Sequence, residues 1–426
     1  MMIMFHCLLI DEKVNICVGF SEIDVFLAKF KKMDHPREIG DWTNISVLGS
    51  GGFGTVLLWR SNTTNEYIAV KKCRIQCQSS LTSRQKSRWK HEVEKMKELC
   101  HPNIVKHKPL PPFLEEELNK FNPTKLPLLS LEYCDKGNLR HTLILPENLR
   151  GLKEESVRDL LLDISGAVSY LHQRNITHRD IKPENIVLHT WPERERGVIY
   201  KLIDLGYAKE LGDATVSFVG TLLYLAPEIF SNQYYDCSVD YWSLGVLAFE
   251  VICGVLPFPA IMGTAERFRA IKNKGPEDIC VYKSILGNLQ YSTQLFKEIW
   301  ISTCLKDHME VWLRKALQFN PTLRSAPFPT TLNIFNQLNL ILRKRILTVF
   351  SVYRYEFYSY EFDECTRLST VRQWIARDTK IAENDQLLLG IIDFDNCDDQ
   401  TLLIHCLCEY HWQILLTHRD ASRKRV

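Results

Sequence analysis

The 426-residue sequence has no Cys-x-x-Cys pair among its 14 cysteines and no histidines at zinc-finger spacing. Its nearest cysteines, Cys406 and Cys408, stand one residue apart, which fits no common metal or disulfide framework. Scattered thiols of this kind suit a reducing compartment, cytosolic or nuclear, and of the two a cytoplasmic protein is expected. Excess charge is missing too. The formal net charge of +2 creates no field that would make nucleic acid or an anionic membrane the main partner. Arg343-Lys344-Arg345 and Arg423-Lys424-Arg425 are too short for polybasic signals and read as solvated surface. The longest apolar run, Trp242 to Met262, is broken by Glu250, Pro257 and Pro259, and reads as a buried helix rather than a membrane span. The opening MMIMFHCLLIDEK lacks a basic segment and soon meets Asp11 and Glu12, so no secretory leader is expected. Residues 1–40 read as an extension without chemistry. There is no internal repeat and no low-complexity stretch.

What is present is the composition of an ordinary globular protein, 45% hydrophobic and 24% charged, at a length that suits two or three domains. From Asp41 to Cys73 short strands alternate, with glycines between the first two. A helix is predicted over Ser83–Leu99, followed by strands near Ile104–Lys106 and Pro127–Glu132. After Asn138 the pattern becomes helical, at Glu154–Gln173, Tyr241–Cys253 and residues 310–319, and this larger lobe is expected to close near Arg324. Pro327 and Pro329 mark a boundary. From about Ile346 the period returns to two, then a helix is predicted at Leu368–Thr379 and a strand at Gln386–Leu389, a ββαβ opening.

Five short motifs carry chemistry. Leu48-Gly49-Ser50-Gly51-Gly52-Phe53-Gly54-Thr55-Val56 has glycines at a spacing that lets backbone N–H groups approach phosphates. Alone it is a weak signal, shared with dinucleotide folds and plain turns, but here it joins strand to strand and no helix follows. Ile68-Ala69-Val70-Lys71 sets an ammonium at a strand end, either an exposed terminus or a grip on phosphates held by a carboxylate. On a helical wheel Trp89, Val93, Met96 and Cys100 form an apolar stripe. Glu92 lies roughly 50° from its centre, with Glu94 and Glu98 roughly 150° or more away, so Glu92 is the expected partner of Lys71. His178-Arg179-Asp180-Ile181-Lys182-Pro183-Glu184-Asn185 is long and specific. Asp180 would accept or orient a hydroxyl proton, Lys182 would steady a transferred phosphoryl group, and Asn185 would hold magnesium. Asp204-Leu205-Gly206 is a common turn on its own, yet 24 residues beyond Asp180 it supplies a second magnesium ligand. Ala226-Pro227-Glu228 closes the segment, with Arg324 as the expected ion partner of Glu228.

Together these motifs, over residues 41–326, resemble the eukaryotic protein kinases. The resemblance implies an α+β, two-lobed fold that uses ATP and Mg²⁺, with Glu132-Tyr133-Cys134 as the adenine-binding hinge and Leu131 as its gatekeeper. Leu205 replaces the usual Phe and remains an apolar plug. Lys182 and Thr221 are the residue types of serine/threonine kinases. HRDIKPENIVL, KLIDLGYAKEL, SFVGTLLYLAPE and SVDYWSLGVLAFE resemble the alpha/beta branch of the inhibitor-of-NF-kappa-B kinases. A related TANK-binding branch lacks the DLGYAKEL and SFVGT strings, and a non-catalytic scaffold would normally lack Lys71, Asp180 or Asp204. The substrates implied are inhibitor-of-NF-kappa-B-type proteins.

Residues 344–405 resemble the ubiquitin-like β-grasp domain of that family, with a plain extension of the larger lobe as the alternative, and 406–426 read as a tail. The family's switch is a pair of serines four residues apart. Here Ser217 holds the second position and Asp213 the first, so Asp213 is either a partial pre-set of the switch or a solvated turn residue. Arg179 would receive the Ser217 phosphate. The family also uses a long helical scaffold for dimerisation and a docking segment for a regulatory subunit. Neither is expected within a chain ending at Val426.

Overall fold

The computed structural model describes residues 36–51, 54–73, 81–204, 222–231, 236–329, 331–390, 394, 397–407 and 413–418. They fall into two compact units. One takes the chain up to Val93 together with His107–Tyr133, and the other takes Glu94–Lys106 and everything from Cys134 onward.

The first unit is a five-stranded antiparallel sheet in sequence order, β1 (Glu38–Ile39), β2 (Trp42–Gly51), β3 (Gly54–Ser61), β4 (Tyr67–Cys73) and β5 (Leu129–Glu132). Side chains alternate across it. Leu57, Trp59, Ile68 and Val70 point to one face, where they pack with Leu114 and Leu118 of helix α2 (Pro112–Lys120). Register pairs Val56 with Lys71, and Ala69 with Leu131, which puts Val56, Ala69, Lys71 and Leu131 on the opposite face. Sequence reading did not find α2, which begins with Pro112 in its first turn, where a missing N–H costs nothing. Helix α1 (Ser83–Glu98) starts in a reciprocal cap: Gln85 N–H donates to Thr82 Oγ1 and Thr82 N–H to Gln85 Oε1.

The second unit holds α3 (Leu139–Leu143), α4 (Glu154–His172), the hairpin β6 (Ile186–Thr190) with β7 (Val198–Leu202), α5 (Ser238–Cys253), α6 (Thr264–Asn273), the hairpin β8 (Cys280–Lys283) with β9 (Leu289–Ser292), α7 (Thr303–Ala316), α8 (Pro321–Ser325) and α9 (Ile334–Leu342). Helix α5 is apolar nearly all round and buried, as such a helix must be. It stops at Gly254, whose φ of +73° only glycine adopts cheaply and whose added Cβ would lie 2.1 Å from the Leu149 carbonyl. Two expectations fail here. The stretch 104–106 forms only a single bridge, Ile104 to Leu202, in the second unit rather than a strand of the small sheet. The lobe also does not close near Arg324, because α9 continues it: Ile334 accepts the Trp312 indole N–H, and Phe335 packs edge-on to His172.

The same unit ends in a four-stranded mixed sheet, β10 (Arg345–Ser351), β11 (Glu356–Phe362), β12 (Gln386–Leu389) and β13 (Gln413–His418), with α10 (Leu368–Thr379) between β11 and β12. The order is β11-β10-β13-β12, with β10 and β13 parallel at the centre. Its core joins Leu347, Val349, Val371, Ile375, Ile414 and Leu416. The sequence reading placed 406–426 in a tail. Strand β13 corrects this, since it occupies a central position that β10 and β12 both need. Ser359 meets Thr303 and Cys304 on α7, and Glu361 pairs with His308 and Lys344. Among the described residues no helix is long and apolar enough to cross a membrane.

Candidate functional site

The candidate residues form two groups, one in each unit. In the first, β2 and β3 bring Gly49 opposite Val56, Ser50 opposite Thr55 and Gly51 opposite Gly54. Gly52 and Phe53 lie outside the described residues. Gly54 is required for space, since a Cβ there would stand 2.6 Å from the Lys72 carbonyl oxygen. Leu48 is exposed on β2, while Ala69 is buried on β4. Lys71 Nζ lies 2.8 Å from Glu92 Oε1, and the Glu92 side chain is only 2% exposed. The wheel therefore picked the right carboxylate; Glu94 and Glu98 face solvent. Cys100, counted on the same stripe, falls beyond the helix end and is exposed. The Trp89 ring sits 5.5 Å under the Lys71 ammonium and its N–H is held by the Pro127 carbonyl. A buried carboxylate beside an ammonium is tolerable only when so paired. Glu132 ends β5, and Cys134 opens the second unit's longer segment.

In the second unit the hairpin does the positioning. Ile186 pairs with Leu202, so Asn185 and Ile203 are the next residues out, and Ile203 N–H donates to the Asn185 carbonyl. Asp204 follows directly with φ +59°, a conformation uncommon outside glycine and asparagine. Asn185 Nδ2 donates to the Asp180 carbonyl at 2.8 Å and to Asp180 Oδ2 at 2.7 Å, and Lys182 Nζ lies 3.1 Å from the same carboxylate oxygen. The amide that spends its nitrogen on Asp180 keeps its oxygen for a cation. Asn185 Oδ1 and the Asp204 carboxylate are hard oxygen donors, the kind Mg²⁺ takes, so the residues fit that ion.

Sequence reasoning missed what holds this loop. Asp240, fully buried on α5, accepts the backbone N–H of His178 and of Arg179 at 2.8 Å each, and meets His172 Nε2 at 2.7 Å. Arg179 has φ +68°. Burial lowers the His172 pKa, but the hydrogen bonds and charges of Asp240 and Cys237 together outweigh it and raise the imidazole to about 9. A carboxylate in an otherwise apolar helix was the available signal, since such a group must be matched by donors. The expected Glu228–Arg324 pair is present, with the one nitrogen Arg324 Nη2 donating to both carboxylate oxygens at 2.9 Å each. Burial pushes the Arg324 guanidinium down to about 10 and raises the Glu228 carboxyl. Arg140 was also missed: its guanidinium reaches Glu184 and Glu250 at 2.7 Å each and the Tyr224 hydroxyl at 2.6 Å. Ser217 and Asp213 lie outside the described residues.

A family model described as "Protein kinase domain" matches residues 42–335. The chain belongs to the protein kinase family. Members of that family transfer the γ-phosphoryl group of ATP to protein hydroxyls. This kinase is 39% identical over 353 residues to inhibitor of nuclear factor kappa-B kinase subunit beta of Bos taurus, covering 82% of this chain and 45% of that one. It is 39% identical over 355 residues to the alpha subunit of Danio rerio, with 82% and 45% covered. A cAMP-dependent protein kinase type 3 of Saccharomyces cerevisiae is 30% identical over 253 residues, 58% of this chain and 56% of that one. The kinase thus spans under half the length of the two former relatives.

Proposed function

We propose that this kinase transfers the ATP γ-phosphoryl group to serine or threonine of inhibitor-of-NF-kappa-B-type proteins in the cytoplasm and so activates NF-kappa-B signalling. The observation that carries the reading is the Asp180–Lys182–Asn185 cluster, with its donors already turned to one carboxylate. The substrate class rests on the names of the similar alpha and beta subunits. Asp180 accepts the proton of the attacking hydroxyl, Lys182 steadies the transferred group, and Lys71, held by Glu92, grips the α- and β-phosphates. Leu48 to Val56 and Ala69 cover the nucleotide, and the Glu132 and Cys134 backbone binds adenine. Asn185 and Asp204 would hold Mg²⁺, which when bound would supply neutralisation of phosphate charge.

Residues 344–405, joined by strand β13, serve as a ubiquitin-like domain that helps position the substrate. The supporting observation is the ββαβ order with parallel central strands. Phosphorylation of Ser217 is the main trigger, with Asp213 contributing one charge and Arg179 receiving the phosphate. Dimerisation and binding of a regulatory subunit are not carried over from the family, since the residues resembling it here do not include its helical scaffold or its docking segment.

The test is transfer from labelled ATP to an inhibitor-of-NF-kappa-B protein by wild type and Asp180→Asn. Loss of the base should cost about 10²–10⁴-fold. Equal transfer by both forms would remove Asp180 from the chemistry, and transfer to unrelated proteins alone would remove the substrate class.

A further inference from the structure

Where Asp240 holds the backbone of His178 and Arg179, α4 and α5 also bring together groups that phosphoryl transfer does not use. His172, the last residue of α4, turns Nε2 to Asp240 Oδ2 at 2.7 Å, and its side chain is only 9% exposed. The other ring nitrogen, Nδ1, is buried and left without an oxygen or nitrogen partner. The rings of Tyr241 and Phe335, 5.5 and 5.4 Å from the imidazole, flank it.

Cys237, half-buried and just ahead of α5, belongs to the same cluster. The Tyr241 hydroxyl stands 3.8 Å from its sulfur. A hydrogen bond from His172 holds the Cys237 thiol below its ordinary pKa, against the opposing effect of burial. Burial keeps the Tyr241 phenol protonated far above its ordinary value, so that hydroxyl donates to the sulfur as well. The Asp236 carboxylate pushes the thiol the other way, but it is exposed and spends one oxygen on the Ser238 N–H. Phe335, packed across from α9, brings no charge. Sulfur, imidazole and carboxylate thus stand in series, a nucleophile beside a base that a third group orients.

We propose that Cys237 is a modification site, a thiolate that hydrogen peroxide oxidises to sulfenic acid with His172 as the proton donor. The sulfur attacks one peroxide oxygen, so an S–O bond forms as the O–O bond breaks. The departing oxygen leaves as hydroxide and takes the His172 proton to become water. Sulfur gives up two electrons and peroxide gains them. A half-buried sulfur suits so small an oxidant.

The test exposes the full chain to hydrogen peroxide at pH 7 in the presence of dimedone, which traps sulfenic acid, and quantifies the labelled peptides by mass spectrometry. Cys237 should label roughly tenfold faster than Cys100 and Cys365, which are exposed but lie outside this cluster. Its rate should also persist to lower pH than theirs, because the imidazolium keeps its charge there. His172→Gln should bring Cys237 down to the rate of the exposed pair. Tyr241→Phe, which keeps the ring and removes one donor, should slow it by about threefold. Circular dichroism shows whether each variant is folded. Labelling of Cys237 no faster than of the exposed pair would overturn the inference. So would an unchanged rate in folded His172→Gln or, where that variant does not fold, in Tyr241→Phe.

Discussion

Asp240 accepts the backbone N–H of Arg179 at 2.8 Å, and so anchors the residue before Asp180, held at φ +68°, to the most buried helix of its unit. The same carboxylate takes the His178 N–H and faces His172. Replacing it by alanine strands two amides and a cation at once, which should cost about 3–5 kcal/mol. Asp240→Asn keeps one carbonyl acceptor and should lose less. Urea unfolding reads the stability, and kcat should fall in both variants more than the KM for ATP rises.

His172 gives the stability a pH dependence of definite sign. Its folded pKa, about 9, lies above the ordinary histidine value of 6.5, so folding favours the protonated form. The resulting stabilisation is complete below about pH 6.5 and is lost as pH rises through about 9. At most it amounts to about 3 kcal/mol. Melting temperatures measured from pH 6 to 10 should fall across that window in wild type, and the fall should flatten in His172→Gln. An unchanged slope in the variant would assign the dependence to another group.

Lys71 and Glu92 should not be equivalent. Lys71→Met removes the charge proposed to grip phosphate and also strands a buried carboxylate, and should lower kcat/KM for ATP by about 10²–10³-fold. Glu92→Gln retains a hydrogen-bond acceptor for Lys71 and should fall between that variant and wild type. Steady-state kinetics with ATP varied checks the order.

Truncation after His405 removes β13, whose Ile414 and Leu416 are buried in the core of the C-terminal sheet. The sheet would then lose its central strand, and β12 would have no partner. Limited proteolysis should give a resistant fragment reaching about His418 from the full chain and none from the truncated one. Equal protection of both would show that β13 is dispensable.

The sequence by itself determined the local pattern. Motif spacing placed Lys71, Asp180, Asn185 and Asp204, and helical periodicity chose Glu92 over Glu94 and Glu98, because a 3.6-residue repeat turns only one of the three inward. The helix Leu368–Thr379 and the strand Gln386–Leu389 were legible for the same reason, a clear period with clear ends. What only the tertiary structure decided were contacts between residues far apart in the chain. Asp240 lies 61 residues from Arg179, and Arg140 lies 110 from Glu250, so no local pattern marks either pair. Strand β13 was missed because its place at the centre of a sheet depends on β10 and β12, not on its own six residues.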